Sequence, residues 1–188
     1  MRAWIAIACL AATCAIPLGC RKKPVDPGPD LAIVGESTRV RLEDPYPAQT
    51  PWLVNGTVEM VAARGERLGI QVLHRGPGST SLTFASPEIR VAGFDVESYP
   101  VSRASTEMYG GGRTGTFADG LTPAQTVTTN PAVFEVTANA PAGTYLGELA
   151  IGDRKLPARI VVTAVELPPA FEDRVWAYED PRELAWAA

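Results

Sequence analysis

Along most of the chain, hydrophobic side chains recur at every second position. Val58, Met60 and Ala62 alternate with Thr57, Glu59 and Val61, and Leu68, Ile70 and Val72 alternate with Arg67, Gly69 and Gln71. Leu82 and Phe84 flank Thr83. Phe134, Val136 and Ala138 alternate with Glu135 and Thr137, and Ala158, Ile160 and Val162 with Arg159, Val161 and Thr163. A two-residue period is that of a strand with one dry and one wet face. Turn formers separate the runs: Asn55-Gly56, Arg64-Gly65, Gly76-Pro77-Gly78, Pro141-Ala142-Gly143 and Gly152-Asp153. Ile89 and Val91 share one parity and Phe94 and Val96 the other, which predicts a bulge near Ala92-Gly93. The pattern predicts about eight short strands and no amphipathic helix before residue 180. A sheet with one apolar face needs another to cover it. The expected fold is therefore all-β, an antiparallel β-sandwich, Ig-like or jelly-roll-like, over residues 37–170.

Residues 102–130 interrupt the alternation. A structureless stretch that long is uncommon in a compact domain. It reads either as a flexible crossover between sheets or as a ligand or interdomain surface. On the second reading Tyr109, Arg113 and Phe117 are the contact residues.

The first twenty residues read as an address. Arg2 supplies a positive charge, and an uncharged, mostly apolar run extends from Ala3 to Ile16. That run suits a signal-peptide core and is short for a bilayer span, which takes about 20 residues. Pro17-Leu18-Gly19-Cys20 follows and resembles the lipobox of bacterial lipoproteins, although Pro17 stands where an aliphatic residue is usual. The resemblance implies cleavage after residue 19 and acylation of Cys20. The other two cysteines, Cys9 and Cys14, fall within the signal, so Cys20 would be the mature protein's lone thiol. Two or three acyl chains would anchor it stably in a bacterial membrane, its lipid partner. Arg21 after the cysteine, rather than aspartate, permits outer-membrane sorting in a Gram-negative cell. Residues 20–36, with Pro24, Pro27 and Pro29, are expected to form an extended tether.

Composition narrows the chemistry. The 188 residues are 46% hydrophobic and 20% charged, which fits one globular domain. Gly and Pro number 17 each, a load that disfavours helical bundles. A formal net charge of −4 argues against a nucleic-acid partner. His74 is the only histidine, expected to be a packed or rim residue at a strand end. With one histidine and no free cysteine in the body, no metal site and no cofactor are expected. No G-x-S-x-G elbow accompanies His74, and Gly110-Gly111-Gly112-Arg113 lacks the ending of a phosphate loop. Glu172 with Asp173, and Glu179 with Asp180, are adjacent carboxylates that read as solvated charges. No catalytic residue is assigned.

The last residues are rich in aromatics. Asp180-Pro181-Arg182-Glu183 has the form of a helix start, and Trp176, Tyr178 and Trp186 lie close by. Residues 171–188 are expected to begin a further domain or, alternatively, to dock on the sandwich.

Two hairpin-sized motifs carry a family resemblance. One is Ala63-Arg64-Gly65-Glu66-Arg67-Leu68-Gly69-Ile70-Gln71. The other is Asn139-Ala140-Pro141-Ala142-Gly143-Thr144-Tyr145-Leu146-Gly147, and Leu167-Pro168 follows as a strand exit. Together they resemble the N-terminal β-sandwich of glycoside hydrolase family 123, bacterial N-acetylgalactosaminidases, over residues 38–170. The central loop departs from that family's usual aspartate-proline-leucine at Asp119-Gly120-Leu121. The resemblance implies that the catalytic acids lie in a barrel following the sandwich, where the substrate's acetamido group acts as nucleophile. No residue of this chain matches that pair. A non-catalytic module supporting such a barrel, or a truncated form of such a protein, is the expectation. The alternative is a stand-alone carbohydrate- or protein-binding lipoprotein that uses the 102–130 stretch. On the motif residues' own chemistry, Glu66 and Gln71 are expected to bond backbone at a sheet edge, and Gly143 and Gly147 to permit tight turns and close packing.

Overall fold

The computed structural model describes residues 28–104 and 112–167. Their strands are β1 (Leu31–Gly35), β2 (Leu53–Val54), β3 (Thr57–Arg64), β4 (Glu66–His74), β5 (Thr80–Phe84), β6 (Ile89–Val101), β7 (Gly115–Ala124), β8 (Ala132–Ala138), β9 (Gly143–Ile151) and β10 (Arg154–Glu166). Two five-stranded sheets form the sandwich. Sheet I has the order β1-β4-β8-β6-β7 and sheet II the order β2-β3-β10-β9-β5. All pairings are antiparallel except β3 with β10, which run parallel from Val58↔Ala158 to Ala62↔Val162.

The alternation seen in the sequence becomes the dry interface between the sheets. Ile33, Ile70, Val72, Phe134 and Val136 from sheet I meet Val58, Met60, Leu149, Ile160 and Val162 from sheet II, all buried in one cluster. Burying such side chains contributes about 1.5–3 kcal/mol each and is the main stabilising term. Turn chemistry sets the registers. Asn55 and Gly56 both adopt positive φ (51° and 78°), which matches the twist of the tight β2–β3 hairpin.

Three features differ from expectation. Leu31–Gly35, at the end of the stretch read as tether, is β1, paired with β4 from Leu31↔His74 to Gly35↔Ile70. Its residues Leu31 to Val34 are at most 6% exposed, so this segment belongs to the core. The stretch read as a structureless 102–130 loop contains β7, which pairs with β6 along almost its whole length. The bulge expected near Ala92-Gly93 is absent, because β6 pairs with β8 without a break from Ile89 to Phe94. The register instead shifts between Glu97 and Ser98, where Asp119 is the extra residue on β7.

The parity change in β6 has another cause: sheet I is apolar on both faces. Ala32, Val34 and Leu73 point away from the sandwich interior and are covered by Val40 and Tyr46, in a cluster of their own. Segment 36–50 therefore wraps the outer face. Gln71 holds it there, its Nε2 donating to the carbonyls of Gly35 (3.1 Å), Glu36 (3.2 Å) and Thr38 (2.7 Å).

Gly147 shows how closely strands approach in sheet II. A Cβ there would collide with the Thr83 carbonyl oxygen and lie 2.8 Å from the Phe84 ring. Backbone cannot yield as a flexible side chain can. Gly147→Ala is therefore expected to lower stability by about 1–3 kcal/mol, read as a lower urea midpoint with an unchanged slope. Gly56→Ala is the comparison at a site with nothing within 4 Å, where only backbone strain counts.

Candidate functional site

Two of the expected contact residues, Arg113 and Phe117, fall at one end of the β6–β7 pair. Beyond Phe94, β6 has left β8 and is paired with β7 alone, so residues 95–101 and 115–122 form a two-stranded ribbon. Directly paired residues share a face. Tyr99 stands opposite Phe117, Glu97 opposite Gly120, and Asp95 opposite Thr122. This face continues the core-facing side of sheet I, since next in line are Gly93 and Ala124, and a Cβ on Gly93 would touch Val127 and Phe134. The interior face thus runs out from under sheet II and becomes solvent-exposed.

Asp95 marks the boundary. Its Oδ1 accepts from the backbone N–H of Thr128 (2.7 Å) and Thr129 (3.1 Å), closing the 125–130 loop over the end of the core. The Thr128 N–H chiefly, with that of Thr129 assisting, holds the Asp95 carboxyl below its usual range against the opposing effect of burial.

Past that boundary lie Glu97, Tyr99 and Thr122. The Tyr99 hydroxyl donates to Glu97 Oε2 (2.5 Å), and Thr122 Oγ1 donates to the other oxygen, Oε1 (3.4 Å). The phenol is held above its usual range, first by that hydrogen bond, then by the charge of Glu97, and further by Asp119. Tyr99 is 48% exposed.

The free edge of β7 is flanked by segment 41–44. Arg41 forms a bridge with Phe117, and the Leu42 N–H donates to Thr116 O (3.1 Å). Arg41 donates through Nη1 to Thr114 O (3.0 Å), through Nε to Asp44 Oδ1 (3.0 Å), and through Nη2 to the same oxygen. Glu43 Oε1 accepts from the Thr116 N–H (2.8 Å). Asp44 is held below its usual range chiefly by the Arg41 hydrogen bond, and Glu43 by its own backbone N–H and then by Thr116.

Of the residues expected to bind, Phe117 is half-buried in the row Arg41–Phe117–Tyr99. Arg113 is exposed and lies 3.5 Å from Asp44 Oδ2. Arg41 and Asp44 connect the two. Tyr109 and the lipidation candidate Cys20 lie outside the described residues. Glu97, Tyr99 and Thr122 were not singled out in the sequence. The available signal was the alternation of Asp95, Glu97, Tyr99 and Val101 with Val96, Ser98 and Pro100.

Elsewhere the chemistry is structural. His74 is 6% exposed. Its Nδ1 lies 2.9 Å from the Gly76 carbonyl, which can only accept, so Nδ1 donates there, and Nε2 lies 3.2 Å from Thr80 Oγ1. A side groove of about 490 Å³ between β5 and the β6–β7 pair has Leu82, Val91 and Phe134 in its floor and Ser81, Thr83 and Gln125 at its rim, with no titratable side chain. Among the described residues, no three His, Cys, Asp or Glu side chains gather as a metal site requires.

No protein-family model matches the chain, and no curated protein matches it. Among solved structures, the chain is distantly similar to a family 123 glycoside hydrolase from Clostridium perfringens, studied for glycolipid glycan hydrolysis. The TM-score is 0.39 and the identity 14%, and the match covers 74% of this chain and 28% of that one. The matched part thus spans under a third of that chain's length.

The carboxylates framing the ribbon predict an acid response. Asp95, Asp44 and Glu43 lie below their ordinary values of 3.8, 3.8 and 4.5. Each therefore contributes stability that is complete above the ordinary value and is lost as pH falls through the lowered one. Asp95→Ala is expected to lower stability at pH 7 by about 1 kcal/mol. It should also reduce the further loss between pH 5 and pH 2, as read from urea midpoints across that range.

Proposed function

We propose that the chain is an exported lipoprotein, acylated at Cys20, whose β-sandwich is a non-catalytic module supporting a glycoside-hydrolase-like barrel. The observation that carries this reading is the use made of the motif residues. Gln71 clasps three carbonyls of the wrapping segment. Glu66 Oε2 accepts from the Ala63 N–H (2.7 Å) across the β3–β4 turn. The Tyr145 hydroxyl donates to Pro141 O (2.9 Å), and Gly147 admits the β5 backbone. Residues engaged in this way build a scaffold. They leave the chemistry to a neighbouring domain, since a fold by itself supplies no activity.

The surface carboxylates support the same reading. Glu59 accepts from Arg159 Nε (2.8 Å) and Glu148 from Lys155 Nζ (2.8 Å), both pairs across neighbouring strands of sheet II. Such pairs favour strand register and are worth little energy. The alternative of a stand-alone binding lipoprotein is favoured by one observation, the exposed Tyr99 beside the half-buried Phe117 on the ribbon.

The test is metabolic labelling with an alkyne fatty acid in a bacterial host. Wild type should carry the label and partition with membranes, and Cys20→Ala should lose the label and accumulate as precursor. Label retained by Cys20→Ala overturns the anchor. Incubation of the purified chain with p-nitrophenyl N-acetylgalactosaminide should release no nitrophenol above the no-protein rate, and saturable release overturns the non-catalytic role.

A further inference from the structure

We propose that the β6–β7 ribbon carries a binding face for neutral saccharides, built on Tyr99 with Glu97 and Thr122. This inference deepens the alternative, binding reading given above, and does not depend on lipidation or on a barrel.

The geometry begins with a glycine. Gly120 stands opposite Glu97, one row along from Tyr99 and Phe117. The Tyr99 hydroxyl lies 3.5 Å from the place a Gly120 Cβ would occupy, and the Glu97 Cβ lies 3.2 Å from it. The tyrosine therefore does not stand upright off the sheet. It leans along the strand into the space the missing side chain leaves, with its hydroxyl tied to Glu97 Oε2 at 2.5 Å. A ring laid down on a sheet presents one π-face to the backbone and the other to solvent. With Tyr99 48% exposed, that outer face is open. Phe117 stands beside it, half-buried, and adds apolar surface at the ring's edge.

The polar groups next to the ring have a definite sense. A carboxylate offers about four acceptor positions. Tyr99 and Thr122 each donate to one oxygen of Glu97, which fixes the group and leaves acceptor positions free. The free chemistry of this face therefore accepts hydrogen bonds. Arg41, the guanidinium in the same row, is bound to Asp44 and Thr114 O and lies 4.0 Å from Glu43, so its charge is answered by its own neighbours. The face thus combines a flat apolar patch, oriented acceptors and local negative charge from Glu97 and Asp119. A pyranose has a complementary makeup: an axial C–H face that packs on an aromatic ring, and equatorial hydroxyls that donate around its rim. Uronic and sulfated sugars would meet Glu97 and Asp119 with like charge, so neutral saccharides are the class selected.

The test is isothermal titration calorimetry on the full chain in detergent. The probes are four tetrasaccharides: β-linked glucose, xylose and N-acetylglucosamine, and the anionic tetragalacturonate. At least one neutral probe should saturate, with tetragalacturonate at least tenfold weaker. Tyr99→Ala should weaken the neutral probe at least tenfold, and Tyr99→Phe should retain most of the affinity. Gly120→Val is the diagnostic variant. It keeps the aromatic ring but fills the space the ring leans into, at a position whose φ is not positive, so it should also weaken binding at least tenfold. Thermal unfolding of each variant separates a lost site from a lost fold. The proposal is overturned if no neutral probe saturates up to about 10 mM, a limit beyond the millimolar range of weak specific sites. It is also overturned if a folded Tyr99→Ala or Gly120→Val binds as wild type does, or if tetragalacturonate binds as tightly as the neutral probes.

Discussion

Sheet I is apolar on both sides, and much of the molecule's arrangement follows from that. One face meets sheet II. The other presents Ala32, Val34 and Leu73, which water would surround if nothing lay on top. Segment 36–50 supplies the cover, with Val40 and Tyr46 as its buried side chains. An irregular segment on a sheet brings backbone carbonyls that need donors. Gln71 donates to three of them from within β4, that of Gly35 accepting from the Thr38 N–H as well. The wrap then does two further things. It carries Tyr46 to the end of β4, where its hydroxyl donates to His74 O (3.3 Å) and accepts from Asn130 Nδ2 (2.8 Å). It also carries Arg41, Glu43 and Asp44 to the open edge of β7, where they hold the ribbon.

The same constraint explains what was legible in the sequence. Strands β3, β4, β8 and β10 face solvent on at least part of one side and core on the other, so their period of two is plain. β1 reads Leu-Ala-Ile-Val-Gly with no polar alternation, because both of its faces are covered. It follows directly on a proline-rich stretch and so passes for tether. The apparent parity change in β6 has the same origin. Ile89 and Val91 belong to the interior side and Phe94 and Val96 to the other, and no bulge is needed once both sides can be apolar.

β7 was hidden for a different reason. Gly115, Gly120 and Pro123 are poor strand formers, and local propensity argues against the segment. It is a strand because β6 supplies a full partner on one edge and Arg41-Leu42 a partial one on the other. Proline is tolerated at a sheet edge, where its missing donor leaves no ladder position empty. Sequence alone could name the side-chain types at this end of the chain, Phe117 and Arg113 among them. It could not place Tyr99 beside Phe117. That adjacency depends on a register shifted by one residue at Asp119, and shifting a strand by one residue moves every side chain to the opposite face.

A two-stranded ribbon is marginal in water unless something fixes it. Here both ends are fixed by charged hydrogen bonds rather than by apolar packing. Asp95 ties the base to the 125–130 loop, and Glu43 with the Arg41–Asp44 pair ties the outer edge. That choice bears on the binding face proposed for the ribbon. Apolar pinning would have needed a second layer over the ribbon and would have buried its face. Hydrogen bonds made at the rim hold the strands while leaving Tyr99 exposed beside the half-buried Phe117. A surface fixed before it meets a ligand loses less conformational entropy on binding than a flexible loop would. Residues 115–122, within the segment that breaks the chain's alternation, thus extend the core-facing side of sheet I past its cover.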